Sequence, residues 1–183
     1  MDHYQGKYRI SSARLPGWDY ASAGYYFVTI VTQGHIPYFG EIVDGKMHLS
    51  PIGAIVADEW TKTPQIRPNV QMDEWVIMPN HIHGIINIIE VETPRRGVST
   101  TAWKPNTLGS ILNQFKSVCT KRIRIACNPD FSWQSRFYDH IIRDESSLDR
   151  IRTYIRYNPL QWSQDDENPD RTKGRLPRPS TSS

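Results

Sequence analysis

Apolar and polar positions alternate along this chain with two different periods, and the switches between them outline the elements. The run YYFVTIVTQ, Tyr25 to Gln33, is rich in β-branched and aromatic residues and predicts a buried strand. In EIVDGKMHL, the pair Asp44-Gly45 is a strong hairpin signal, so two short strands should meet there. Ser50-Pro51 supplies a cap and a first-turn proline, and Ile52, Ile55, Val56 and Trp60 follow at helical spacing to about Lys62, where TPQIRPN ends the helix. Two further strands are expected over Val70–Met78 and Ile82–Val91, joined by Pro79-Asn80.

After the aperiodic, basic loop TPRRGVSTTAWKPN, a helix is predicted from Thr107 to Ala126, turning Leu108, Ile111, Leu112, Phe115 and Val118 inward. FSWQSRFYDHIIR reads as an extended piece, and a last helix starts at the cap Asp144 and runs to Tyr157. Strands adjacent in sequence, with helices between the groups, imply an α+β sandwich of the ferredoxin or RNA-recognition type: a mainly antiparallel sheet with helices packed on it. The domain reading is an N-terminal arm over 1–22, a single domain over 23–162, and a disordered tail over 163–183, where Asp, Pro, Arg and Ser dominate.

Composition trims the function classes. At 183 residues the chain is long enough to bury a sizeable core. It has no bilayer-spanning run, and its start, MDHYQGKYRISSAR, is too polar for a secretory segment, so a soluble cytoplasmic protein without a membrane partner is expected. Cys119 and Cys127 form no CxxC pair, which argues against a disulfide framework or a zinc knuckle. Charge is uneven: Gly24–Val91 holds three Lys/Arg against seven Asp/Glu, for −4, while Thr107–Tyr157 holds nine against five, for +4. The basic half fits a polyanionic partner such as nucleic acid, and equally a set of solvated helix faces.

The candidate chemistry centres on MPNHIHGIINIIE. In an extended backbone, residues i and i+2 share a face, so His81 and His83 project together. They follow a Pro-Asn turn at a strand edge, and Gly84 beside them leaves room for a close approach. In DESSLDRIRTYIRYNP, Leu148, Ile151 and Ile155 form an inward stripe, Tyr154 and Asn158 lie together at its margin, and Tyr157 falls opposite. Packed side chains would explain both patterns; so would something held between the histidines, with the Tyr154 hydroxyl and the Asn158 amide offered to whatever lies beside the sheet.

The order HIH in MPNHIHGII, then WQSRFYDHIIRDE, then YIRYNP resembles the HUH single-tyrosine transposases, most closely the REP-associated tyrosine transposases, over roughly Tyr20 to Trp162. The resemblance implies that His81 and His83 bind a divalent metal, Mg²⁺ or Mn²⁺, and that Tyr154 attacks single-stranded DNA beside a hairpin. The product would be a 5′-phosphotyrosine whose preserved bond energy lets the same site rejoin strands. The third ligand falls on Asn158, where many members carry the longer Gln. Members occur as monomers and as dimers with exchanged helices, so a homodimer stays open.

Two other readings compete. One is a replication-initiator nickase with the same site, and the other a non-catalytic nucleic-acid binder of RNA-recognition type. Candidate DNA contacts are Lys116, Lys121 and Arg122 on the basic helix, with Arg124 near them, against phosphates. Trp133, Gln134, Arg136 and Tyr138 mix aromatic and polar groups as base stacking requires, although Trp133 and Tyr138 suit a core as well. His140 is read as a hydrogen-bonded structural residue.

Overall fold

The computed structural model describes residues 18–90 and 106–171. Among the described residues, six strands and three helices follow the expected order: β1 (Gly24–Val31), β2 (Gly40–Val43), β3 (Lys46–Leu49), α1 (Pro51–Ile66), β4 (Val70–Ile77), β5 (His81–Ile88), α2 (Leu108–Ala126), β6 (Tyr138–Ile142) and α3 (Glu145–Tyr157). Short 3₁₀ turns cover Gln33–His35 and Pro159–Gln164. Local chemistry sets the boundaries. Ser50, Thr107 and Asp144 cap the three helices, their side chains accepting from the backbone N–H of Gly53, Ser110 and Ser147. Asp44 and Gly45 both take positive φ, 50° and 72°, as a tight hairpin turn requires. Helix α1 outruns its predicted end because Pro64 lies in the last turn, where it forfeits a single backbone bond.

Four strands pair antiparallel throughout in the order β4-β5-β1-β6, and β2-β3 stands apart as a hairpin. Setting that hairpin aside, β1-α1-β4-β5-α2-β6 is the ferredoxin-like arrangement expected from the sequence. Helices α1 and α2 cover one face, burying Trp60, Leu112 and Phe115 against Tyr26, Val28, Ile30, Ile82 and Ile86. Helix α3 covers the other, burying Leu148, Ile151 and Ile155 against Ile85 and Ile142, while Tyr157 on its outer side is 54% exposed.

Three expectations change. Gly84 leaves no space for a ligand: it points to the α1 side, away from the histidines, and a Cβ there would sit 2.4 Å from Trp60 Cζ2. The arm does not reach residue 22, since Trp18 and Tyr20 pack on the core and Trp18 Nε1 donates to the Tyr26 hydroxyl at 3.2 Å. The tail does not begin at 163, because Asp165 and Asn168 are buried. Residues 1–17, almost all of the basic loop, and residues 172–183 lie outside the described residues. Among those described, no helix is long and apolar enough to cross a membrane.

The Gly84–Trp60 contact yields a stability prediction. Gly84→Ala should lower unfolding free energy by about 1–3 kcal/mol, as overpacking does, and Trp60→Phe in the same chain should recover part of it. Denaturant midpoints of the single and double variants measure both.

Candidate metal and tyrosine site

The site forms where β5 meets α3. His81 and His83 start β5, opposite Val31 and Thr29 of β1. Both rings are buried, 0% and 4% exposed, and their Nε2 atoms stand 3.0 Å apart. The other nitrogen of each ring is engaged: His81 Nδ1 lies 2.8 Å from Asn80 Oδ1, and His83 Nδ1 lies 2.8 Å from Thr29 Oγ1. Phe27 stacks on His83 at 5.4 Å between centroids, and Trp162 leans over His81 at 6.1 Å.

Helix α3 brings Tyr154 over this pair, its hydroxyl 3.2 Å from His83 Nε2. The aliphatic stripe supplies most of the docking. A bulge in β4 between Met72 and Trp75 adds Asp73 and Glu74, which hold Arg152 (2.9 and 2.7 Å) and Arg156 (2.9 Å) of α3. Beyond α3 the chain turns back and delivers Asp165, whose Oδ2 is 3.9 Å from His81 Nε2. His81, His83 and Asp165 can hold a metal ion, their donor atoms all lying within 4.8 Å of one another.

Electrostatics favours a cation there. Burial drives the His81 pKa well below its ordinary value, with the charges of His83 and His35 adding to the effect, and burial takes His83 down to about 3. Both rings are therefore neutral at pH 7, the state in which an imidazole nitrogen can ligate. Burial raises the Asp165 pKa, against the opposing Glu167 backbone N–H and the Asn158 amide. The Tyr154 phenol is pushed above its ordinary value, first by burial and then by Asp165, with Asn158 opposing. Asn158 is 1% exposed, its Nδ2 donates to Asp165 Oδ2 at 3.1 Å, and its Oδ1 is buried with no hydrogen-bond partner among the described residues. Two lone-pair nitrogens, a carboxylate and an orphaned amide oxygen suit a divalent ion. The 3.0 Å between the Nε2 atoms is also about the separation of two adjacent octahedral ligands that each lie about 2.1 Å from an ion.

The structure thus gathers His81, His83, Tyr154 and Asn158, and adds Asp165. Nothing in the local pattern marked Asp165, which falls in a stretch composed like a tail. The DNA-contact candidates scatter. Arg122 pairs with Asp58 at 2.5 Å and with Glu59, tying α2 to α1, so its charge is matched rather than offered to phosphate. Lys116 is half-buried, and its Nζ donates to the Gln134 carbonyl at 2.5 Å. Trp133 is 8% exposed among Phe39, Phe115 and Phe131, which makes it core and corrects the stacking expectation. Gln134 Nε2 lies 3.0 Å from His35 Nε2, and His35 Nδ1 lies 3.0 Å from Glu167 Oε2, at the margin of the site. Lys121 and Arg136 are exposed. His140 stands in β6 opposite Phe27, outside the metal-competent group.

No family model matches the chain. A Haemophilus influenzae protein, itself described as uncharacterized, is 38% identical over 174 residues, covering 87% of this chain and 93% of its own, and the two belong to one family. The fold is the HUH tyrosine transposase-like fold: the structure of a REP-associated tyrosine transposase bound to a REP hairpin superposes with a TM-score of 0.54. It covers 88% of this chain and 74% of its own at 21% identity.

The buried rings make stability depend on pH. Folding lowers the His83 pKa from an ordinary 6.5 to about 3, so between those values the unfolded chain binds more protons than the folded one. Stability is therefore full above about pH 6.5 and falls toward pH 3, by about 1.4 kcal/mol per pH unit for each such ring. Denaturant unfolding in EDTA at pH 7, 5.5 and 4 should show this slope reduced in His83→Gln; equal slopes would contradict the burial argument.

Proposed function

We propose that this chain, which has the fold of the HUH tyrosine transposases, is a divalent-metal-dependent single-stranded DNA endonuclease and strand transferase. One observation carries the reading: the Tyr154 hydroxyl stands 3.2 Å from a His83 Nε2 that itself lies 3.0 Å from His81 Nε2. A nucleophile and an ion site that close can engage one phosphate together. The imidazoles of His81 and His83 and the carboxylate of Asp165 would hold the metal, with Asn158 Oδ1 as a further candidate oxygen donor. When bound, Mg²⁺ or Mn²⁺ supplies positive charge that draws electron density from the scissile phosphate and favours the phenolate.

Tyr154 Oη attacks phosphorus. The phenolic O–H breaks and its proton passes to water, the Oη–P bond forms as the P–O3′ bond breaks, and the departing oxygen takes a proton from water to become a free 3′-OH, leaving a 5′-phosphotyrosine. In the reverse direction a 3′-OH attacks that phosphorus and the tyrosine oxygen leaves, so strands rejoin without an external energy source. Phe27, 6.2 Å from Tyr154 between centroids, and the α3 stripe keep the phenol positioned. Exposed Lys121 and Arg136 contact DNA phosphates. The hairpin bound by the transposase of like fold supports hairpin-bearing single strands as the substrate.

Labelled hairpin-bearing single strands incubated with the protein and Mn²⁺ should give a covalent adduct, which EDTA and Tyr154→Phe should both abolish while Tyr154→Phe still binds DNA. An adduct surviving in Tyr154→Phe would move the nucleophile elsewhere. Binding indifferent to EDTA, with no adduct in the unmodified protein, would leave a non-catalytic nucleic-acid binder.

A further inference from the structure

Asn80 sits in the turn between β4 and β5 with no exposed surface. Its Nδ2 lies 3.0 Å from the His35 carbonyl oxygen and 2.7 Å from the Glu167 carbonyl oxygen. Backbone carbonyls only accept, so the NH₂ end of the carboxamide must face them, and the oxygen end must face His81 Nδ1 at 2.8 Å. That oxygen also only accepts. His81 Nδ1 therefore carries the ring hydrogen, and in a neutral ring Nε2 is left as a bare lone pair.

His83 is held differently. Its Nδ1 faces the Thr29 hydroxyl, which can donate or accept, so either tautomer is satisfied. With His81 Nε2 bare, a hydrogen on His83 Nε2 at 3.0 Å can be donated to it, and without that hydrogen His83 Nε2 accepts from the Tyr154 hydroxyl at 3.2 Å. Shifting that hydrogen to Nδ1, where the Thr29 oxygen accepts it, bares the second nitrogen. One ring is locked and the other is free to switch.

The same carboxamide reaches the segment that presents Asp165. The Glu167 carbonyl takes one Asn80 N–H, while the Glu167 backbone N–H donates to Asp165 Oδ1 at 2.7 Å. We propose that Asn80 is the positioning residue of the site: its side chain fixes His81 as the Nδ1–H tautomer and, through Glu167, seats the segment carrying Asp165. The ring assignment stands on the hydrogen bonds alone; its consequence for metal binding rests on the reading of the preceding section.

The test uses the full chain, with ¹⁵N NMR of the histidine rings in the absence of metal and Mn²⁺ binding followed by electron paramagnetic resonance. In the unmodified protein His81 should show a protonated Nδ1 and a bare Nε2. Asn80→Ala should lose that single tautomer and weaken Mn²⁺ binding about 10–100-fold, as loss of a ligand's hydrogen-bond partner does. Asn80→Asp still accepts from Nδ1–H but presents an oxygen to the two carbonyls, so it should keep the tautomer and still bind Mn²⁺ more weakly. A protonated Nε2 on His81 in the unmodified protein overturns the proposal whether or not either variant folds, as does a folded Asn80→Ala that binds Mn²⁺ unchanged. The expected tautomer in a protein that binds no Mn²⁺ would instead overturn the metal-dependent reading and leave the ring assignment standing.

Discussion

Strand β5 is covered on both faces, and its two-residue alternation forces a division of labour along it. Ile82, Gly84, Ile86 and Ile88 must fit beneath α1 and α2, where Trp60 closes over Gly84. The intervening positions, His81, His83 and Ile85, are then committed to the side of α3. Two imidazoles are thereby buried side by side, with Thr29 and Asn80 engaging their outer nitrogens and the inner pair converging. A shift of one residue in register would carry both rings into the aliphatic core and bring Gly84 round to α3.

That enclosure makes the electrostatics one-sided. Burial keeps the rings uncharged and raises the pKa of both Asp165 and Tyr154. An orphaned Asn158 oxygen lies buried in the same neighbourhood. Each of these departures carries a cost, and a single divalent cation held by His81, His83 and Asp165 would relieve all of them, because it would give the lone pairs a partner and offset the carboxylate's charge. On the proposed reading, the same ion would also bring the Tyr154 phenol, 3.2 Å from His83 Nε2, back toward its ordinary pKa.

Much of this was legible in the chain, for reasons that differ by residue. Helical periodicity separated Tyr154 and Asn158 from Tyr157, and the structure buries Asn158 while leaving Tyr157 outside. Strand alternation put the two histidines on one side, and the Asp44-Gly45 hairpin and the capped helices came from local chemistry alone. What escaped was long-range. The space beside Gly84 belongs to Trp60, 24 positions earlier, and no local rule names that partner. Asp165 lies among Asp, Pro and Arg, a composition that reads as tail until α3 aims the chain back toward β5. Arg122 and Trp133 show the converse: basic charge and aromatic content suggested DNA, but Asp58 and Glu59 on α1 match the one and a cluster of phenylalanines encloses the other.

The most direct measurement is anomalous diffraction from crystals of the full chain grown with Mn²⁺. The account predicts one peak within the group formed by His81, His83 and Asp165, on the side of the Tyr154 hydroxyl. Crystals in which Mn²⁺ binds elsewhere, while the two rings stay hydrogen-bonded to each other, would contradict it.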